Sequence, residues 1–175
     1  IFMQFCDWKN LFENGAAAEL ERLSEKKFIS TENASLVRLD EIELFRKSGL
    51  MRRLLGAREV LREKRFNTVL PAERFTTDPQ LRKKLRDGNV TVTVQGVVDC
   101  MFTDADGRSV LVDYKTDRLS KSELDDPSLA AAKLTARHSR QLGLYSEICK
   151  GMLGHPFDEV YIYSLPLGDV LPVKL

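Results

Sequence analysis

The 175-residue chain reads as an α/β domain built on a mixed sheet, and three observations lead there. The apolar period is helical from Phe2 to Arg58 and changes from 3.6 to 2 at Glu59. Two β-branched runs, VTVTVQGVVDCMF and RSVLVDYK, flank Asp104-Ala105-Asp106-Gly107, which is a hairpin signal. A long helical stretch then precedes VYIYS, as in a helix that carries the chain back onto its sheet.

Taken in order, Phe2, Phe5, Leu11 and Phe12 open an apolar pattern that Ala16 to Leu23 continue with good helix formers. Ser30 or Thr31 is placed to cap a second helix running through Phe45, with Glu32 in its first turn and Gly49 beyond its end. A short third helix fits Leu50 to Arg58. EVLREKRFNTVLP alternates as a strand ending at Pro71, and DPQLRKKLRDGN comes next as a loop or short surface helix. Three sequential strands predict an antiparallel meander. A helix from Ser128 to Lys150, stopped by Gly151, leads to a strand, a turn at Gly168-Asp169 and a last short strand. The chain thus divides into a helical part, 1–58, and a core, 59–175, of one domain.

Composition narrows the function classes. Lys and Arg number 27 against 26 Asp and Glu, a formal net charge of +1, which excludes a polybasic tail or an acidic solvating segment. The hydrophobic fraction of 43% supports a buried core rather than disorder. Charges interrupt every long apolar stretch, so no membrane partner is expected. Cys6, Cys100 and Cys149 are far apart with no CxxC, which gives neither a zinc site nor a disulfide framework and suits a reducing, cytoplasmic setting. The opening IFMQFCDWKNLF lacks Met and any signal sequence, and its apolar start reads as the inside of an element cut from a longer chain.

The hairpin carries the chemistry. With Ala105-Asp106-Gly107 as the loop, Cys100 faces Val112 and Asp99 faces Asp113. One side then presents Val98, Cys100, Phe102, Val110, Val112 and Tyr114, a core face; the other presents Asp99, Asp113 and Lys115. Cβ atoms of facing residues lie about 4.5–5.5 Å apart, where two carboxylates repel. A divalent cation resolves that conflict, and an all-oxygen site suits Mg²⁺ or Mn²⁺. A D-x-K on a strand is commonly a solvated charge triplet. Here Val97, Met101 and Leu111 flank the acids, and acids among apolar neighbours mark functional sites.

Gly96-Val97-Val98-Asp99, the hairpin, Asp113-Tyr114-Lys115-Thr116-Asp117 and a downstream Q-x-x-x-Y at Gln141 and Tyr145 together resemble the PD-(D/E)xK nuclease superfamily. Within it, DYKTD is most similar to the RecB/AddA-type C-terminal nuclease domain of bacterial helicase-nucleases. The resemblance implies a restriction-endonuclease-like core and Mg²⁺-dependent hydrolysis of DNA phosphodiesters at single-stranded ends, in double-strand-break repair and recombination. It also implies helicase domains in the parent chain, with an AddB-like protein as partner. Asp99, Asp113 and the Tyr114 carbonyl would hold the metal, Lys115 would assist the attacking water, and Gln141 and Tyr145 would contact the strand. Gln141 and Tyr145 share a helical face by their i, i+4 spacing.

One element of the pattern is absent: such nucleases carry a metal-ligating His in a GT-x-x-H segment, which the resemblance places just before Ile1. No GxxxxGK[ST] motor motif is present either. Two other readings stand beside the first: a stand-alone nuclease of the same superfamily, and a silent fold that docks DNA or a partner.

The remaining polar candidates read more plainly. His138, one turn before Gln141, reads as a surface or capping residue, His155 as a turn residue, and Cys100 as a core residue. Glu63 could reach the site from the first strand. Basic clusters lie at Arg52, Arg53, Arg58, Arg62, Lys64 and Arg65, at Arg82, Lys83, Lys84 and Arg86, and at Arg137 and Arg140. The last pair is placed to meet phosphates, which attract cations without sequence readout.

Overall fold

The computed structural model describes residues 1–174. Five helices come first: α1 (Phe2–Phe5), α2 (Trp8–Glu25), α3 (Thr31–Ala34), α4 (Leu39–Lys47) and α5 (Gly49–Leu55). They are followed by β1 (Glu59–Pro71), a 3₁₀ turn at Ala72–Phe75, α6 (Pro79–Asp87), β2 (Thr91–Thr103) and β3 (Ser109–Lys115). The chain ends with α7 (Lys121–Asp125), α8 (Pro127–Leu153), β4 (Glu159–Ser164) and β5 (Asp169–Pro172).

The five strands form one sheet in sequence order, antiparallel throughout except for the parallel pair β3–β4. The predicted meander and crossover helix are both present, and the fold is mixed α/β in the restriction-endonuclease-like manner. One core packs the N-terminal helices on one sheet face through Leu11, Phe45, Met51, Cys100, Val112 and Tyr163. A second packs α8 on the other face through Met101, Leu111, Leu134, Leu142 and Ile162. Among the described residues no helix is long and apolar enough to cross a membrane.

Local chemistry explains the helix ends. Ser30 does cap a helix by accepting from Asn33 N–H, but α3 stops at Ala34 and α4 starts afresh at Leu39, so the single helix expected through Phe45 is two. Gly49 lies beyond the end of α4, as expected, and also opens α5, because Ser48 just before it accepts from Met51 N–H. Gly151 lies inside α8, which ends instead at Gly154 with φ 81°, the left-handed geometry a glycine adopts without steric cost. A capping box at Ser120 and Glu123 builds α7, and Asp126 with Pro127 starts α8.

The hairpin has the predicted register, Cys100 against Val112 and Thr103 against Ser109, with Gly107 at φ 88°. The predicted face assignment fails at one residue. Cys100 and Phe102 pack toward the N-terminal helices, whereas Val98 joins Phe66 in the α8 core. The alternation flips between them. Arg62 pairs with Cys100 and Lys64 with Val98, but the pair between, Glu63 and Asp99, is missing from the ladder, and Glu63 sits at φ 51°. A left-handed residue inside a strand turns the pleat, so side chains on either side of it change faces.

Candidate active site

Asp99 stands at that flip. The β2–β3 ladder stops at Cys100–Val112, and the next register position, Asp99 with Asp113, forms no backbone pair. Instead Asp99 Oδ2 accepts from Tyr114 N–H at 2.9 Å. The side chain thus takes the role of a strand carbonyl, which anchors it at the mouth of the splayed hairpin. Burial pushes the Asp99 carboxyl up to about 6; Asp113 and Glu63 add to the rise, while the Tyr114 N–H and Lys115 oppose it.

Asp113 is only 5% exposed. Its Oδ2 lies 2.5 Å from Lys115 Nζ, yet among the described residues no donor meets that oxygen in hydrogen-bond geometry. Lys115 therefore offsets the charge of Asp113 without satisfying its lone pairs. Lys115 thus pairs with Asp113, and Asp99 is held at the following peptide through the Tyr114 N–H, on a cavity that Tyr114 shares.

Glu63 is the residue the sequence alone underrated. It lies across from Asp99 in the β1–β2 register, and both line a cavity of about 500 Å³ together with Tyr114, Thr116, Arg118 and the first residues of the chain, Ile1 to Gln4. The only sequence signal was an acid breaking the polar-apolar alternation of a strand.

Among the described residues no three His, Cys, Asp or Glu side chains form a ready-made metal cage. The donors available are two carboxylates and a peptide carbonyl, all hard oxygens, and one carboxylate oxygen is buried without a donor. That combination fits a hard divalent cation that keeps waters in its shell.

Gln141 and Tyr145 meet each other on α8, Gln141 Nε2 donating to Tyr145 Oη at 3.1 Å. The Tyr145 ring packs edge-on against Phe66 of β1, with centroids 5.1 Å apart. This face of α8 thus covers the β1–β2 pair beside Gly96, not the N-terminal helices. Gly96 of the G-x-x-D motif acquires a physical reason here. A Cβ on it would lie 2.4 Å from Phe66 Cζ and 3.0 Å from Tyr145 Oη, so only glycine admits this approach.

The remaining candidates are structural. His138 Nε2 lies 3.1 Å from both carboxylate oxygens of Asp117, and Arg137 reaches the same group at 2.8 Å, so α8 is tied to the DYKTD segment. His155 contacts the carbonyl of Pro156 in its turn. Arg53 bridges Asp104 and Glu159, Arg58 holds the Ala105 carbonyl, and Arg62 donates to the Cys6 carbonyl while stacking over Trp8. The three cysteines are buried and free, and Cys100 is a core residue.

Comparison with known proteins gives the family of this chain. The model of the PD-(D/E)XK nuclease superfamily matches residues 10–166. An ATP-dependent helicase/nuclease subunit from Geobacillus kaustophilus is 35% identical over 164 residues, 94% of this chain and 13% of that protein. Proteins of the same description from Geobacillus thermodenitrificans and Bacillus licheniformis are 34% and 31% identical over 87% and 91% of this chain. The chain spans 12–13% of the length of these relatives.

Proposed function

The chain belongs to the PD-(D/E)XK nuclease superfamily, and from that premise we propose that it hydrolyses the phosphodiester bonds of single-stranded DNA ends with a divalent cation, Mg²⁺ first and Mn²⁺ second. The observation that carries this reading is the splayed hairpin end, where Asp99 accepts from the Tyr114 N–H and Lys115 pairs with Asp113 on either side of that residue.

Asp99, Asp113 and the Tyr114 carbonyl would hold the cation, which supplies charge neutralisation at the phosphate and a water of lowered pKa. Tyr114 N–H fixes the Asp99 carboxylate in place. Lys115, which lies beside Asp113, would orient the attacking water or stabilise charge that develops on the phosphate oxygens. Gln141 and Tyr145 would steady the strand beside Gly96, and Asp117 with His138 keeps α8 against the site.

The names of the relatives support a wider reading as the nuclease part of an ATP-dependent helicase/nuclease, to which the resemblance adds an AddB-like partner and work on broken DNA in repair and recombination in the bacterial cytoplasm. The resemblance adds a His ligand from a GT-x-x-H segment. Ile1 to Gln4 line the Asp99 cavity. A chain extended upstream to carry that segment is expected to cut faster.

The test is a time course of labelled single-stranded DNA with Mg²⁺ and with Mn²⁺. Cleavage by the extended chain, abolished by Asp113→Ala with the fold retained, supports the assignment; undiminished cleavage by that variant ends it.

A further inference from the structure

Beyond the flip at Glu63 and Asp99, β1 and β2 run on as a two-stranded arm with two unlike faces. Phe66 and Val98 point into the α8 core. The opposite face carries Arg65, Asn67 and Val69 of β1 across from Val97, Gln95 and Thr93 of β2, and all six are exposed. Among the described residues no helix covers them. The Arg74–Glu147 ion pair ties the connection at the end of the arm to α8, on the other side.

Three properties of this face point to one kind of occupant. None of its six residues is acidic, although the chain as a whole balances its charges. Arg65 has no ion-pair partner among the described residues, and Asn67 and Gln95 offer side-chain amides beside it. The face is also continuous with the candidate site, because Glu63 and Asp99 are its next residues along the two strands. An open cavity of about 510 Å³, lined by Arg65, Phe66, Asn67, Gln95, Gly96 and Val97, lies on the arm. A flat face with one free cation, amides and small apolar side chains suits a single nucleic-acid strand. Its phosphates meet the cation, while its bases have apolar surface and amides to contact.

We infer that this arm face is the track along which single-stranded DNA runs away from the Asp99–Asp113 site, with Arg65 as its phosphate contact. The inference rests on the nuclease reading for its substrate, but its test reads binding rather than cleavage.

Labelled oligothymidylate of about 12 nucleotides, within the usual span of single-strand sites, is titrated in EDTA, where nothing is cut. The double variant Arg65→Gln, Gln95→Ala should bind about tenfold more weakly. Arg65→Gln alone should flatten the slope of log K against log salt by about 0.7, one phosphate contact on a single strand. Lys26→Gln removes an equal charge from an exposed site on the helical part and should change neither. Circular dichroism checks that each variant folds. No binding by the parent chain, or equal losses in the Arg65 and Lys26 variants, overturns the track. A chain that binds with this pattern, but whose upstream-extended form never cuts, would leave the track standing and remove the nuclease reading. One that cuts while Arg65→Gln binds normally would do the reverse.

Discussion

Glu63 faces Asp99 across the β1–β2 pair at the one position where their ladder is interrupted, and Glu63 holds a left-handed φ of 51° to do so. Two acids are thereby set at the mouth of a hairpin whose third acid, Asp113, is already buried. Backbone strain and like charge at one point are unfavourable for folding. Both are expected where a site is shaped for a ligand.

The first prediction separates strain from charge. Glu63→Gly should stabilise the chain by about 1 kcal/mol, since glycine occupies the left-handed region without the steric penalty of a Cβ. Glu63→Gln keeps the strain and removes the charge, so it should lower the Asp99 pKa without that gain. Urea denaturation reads the first effect and carboxyl titration by NMR the second. A destabilised Glu63→Gly protein would show that the geometry at this position is not strained.

The second concerns Asp99 and metal. Its carboxyl is raised to about 6, chiefly by burial, against about 4 in an unfolded chain. The folded state therefore holds this proton more tightly, and the contribution of Asp99 to stability falls as pH rises from about 4 to 6. Asp99→Asn should accordingly raise Tm at pH 7 in EDTA, with the difference closing near pH 4. Added Mn²⁺ or Mg²⁺ should raise Tm of the parent chain more at pH 7 than at pH 5, where protons compete, and should not raise it in Asp99→Asn. An equal metal-induced shift in both proteins would place the cation elsewhere.

Gly96 gives the third. Gly96→Ala puts a methyl into Phe66 and Tyr145 and should cost about 1–3 kcal/mol. Phe66→Leu in the same chain should recover part of that loss by vacating the ring edge. Thermal unfolding of the single and double variants checks it, and an unchanged Tm in Gly96→Ala would show that the α8 face yields freely.

The fourth lies at the hairpin turn. Asp104 accepts from Arg53 at 2.7 Å and from the backbone N–H of Asp106 and Arg108, and Arg53 first, then Arg108, hold its carboxyl down near 2. Stability from a lowered acid is complete above about 4 and fades as pH falls toward 2. The Tm gap between the parent chain and Asp104→Asn should be widest at neutral pH and vanish in strong acid. A gap that does not depend on pH would show that folding does not lower the Asp104 pKa.

Much of the architecture was legible because it depends on local rules. The change of period at Glu59, the Asp104 to Gly107 turn and the strand-turn-strand ending each use neighbours in sequence, and each is where the sequence places it. Helix ends were less legible. Gly154 and not Gly151 ends α8, because a glycine stops a helix only where the chain needs its left-handed φ, and that need is set by where the next segment packs. The pairing of Asp113 with Lys115 was readable from D-x-K; the burial that leaves Asp113 Oδ2 without a donor was not.

By itself, then, the sequence determined the order of elements, the hairpin register and the set of charged residues on it, since periodicity and turn chemistry act over a few residues. Only the tertiary structure decided that Asp99 binds the Tyr114 amide, that Glu63 confronts it, and that the arm turns its Arg65 face outward. Those outcomes trace to a single left-handed residue that flips the pleat of two paired strands. Its position is set by contacts among β1, β2, β3 and α8 that no local pattern encodes.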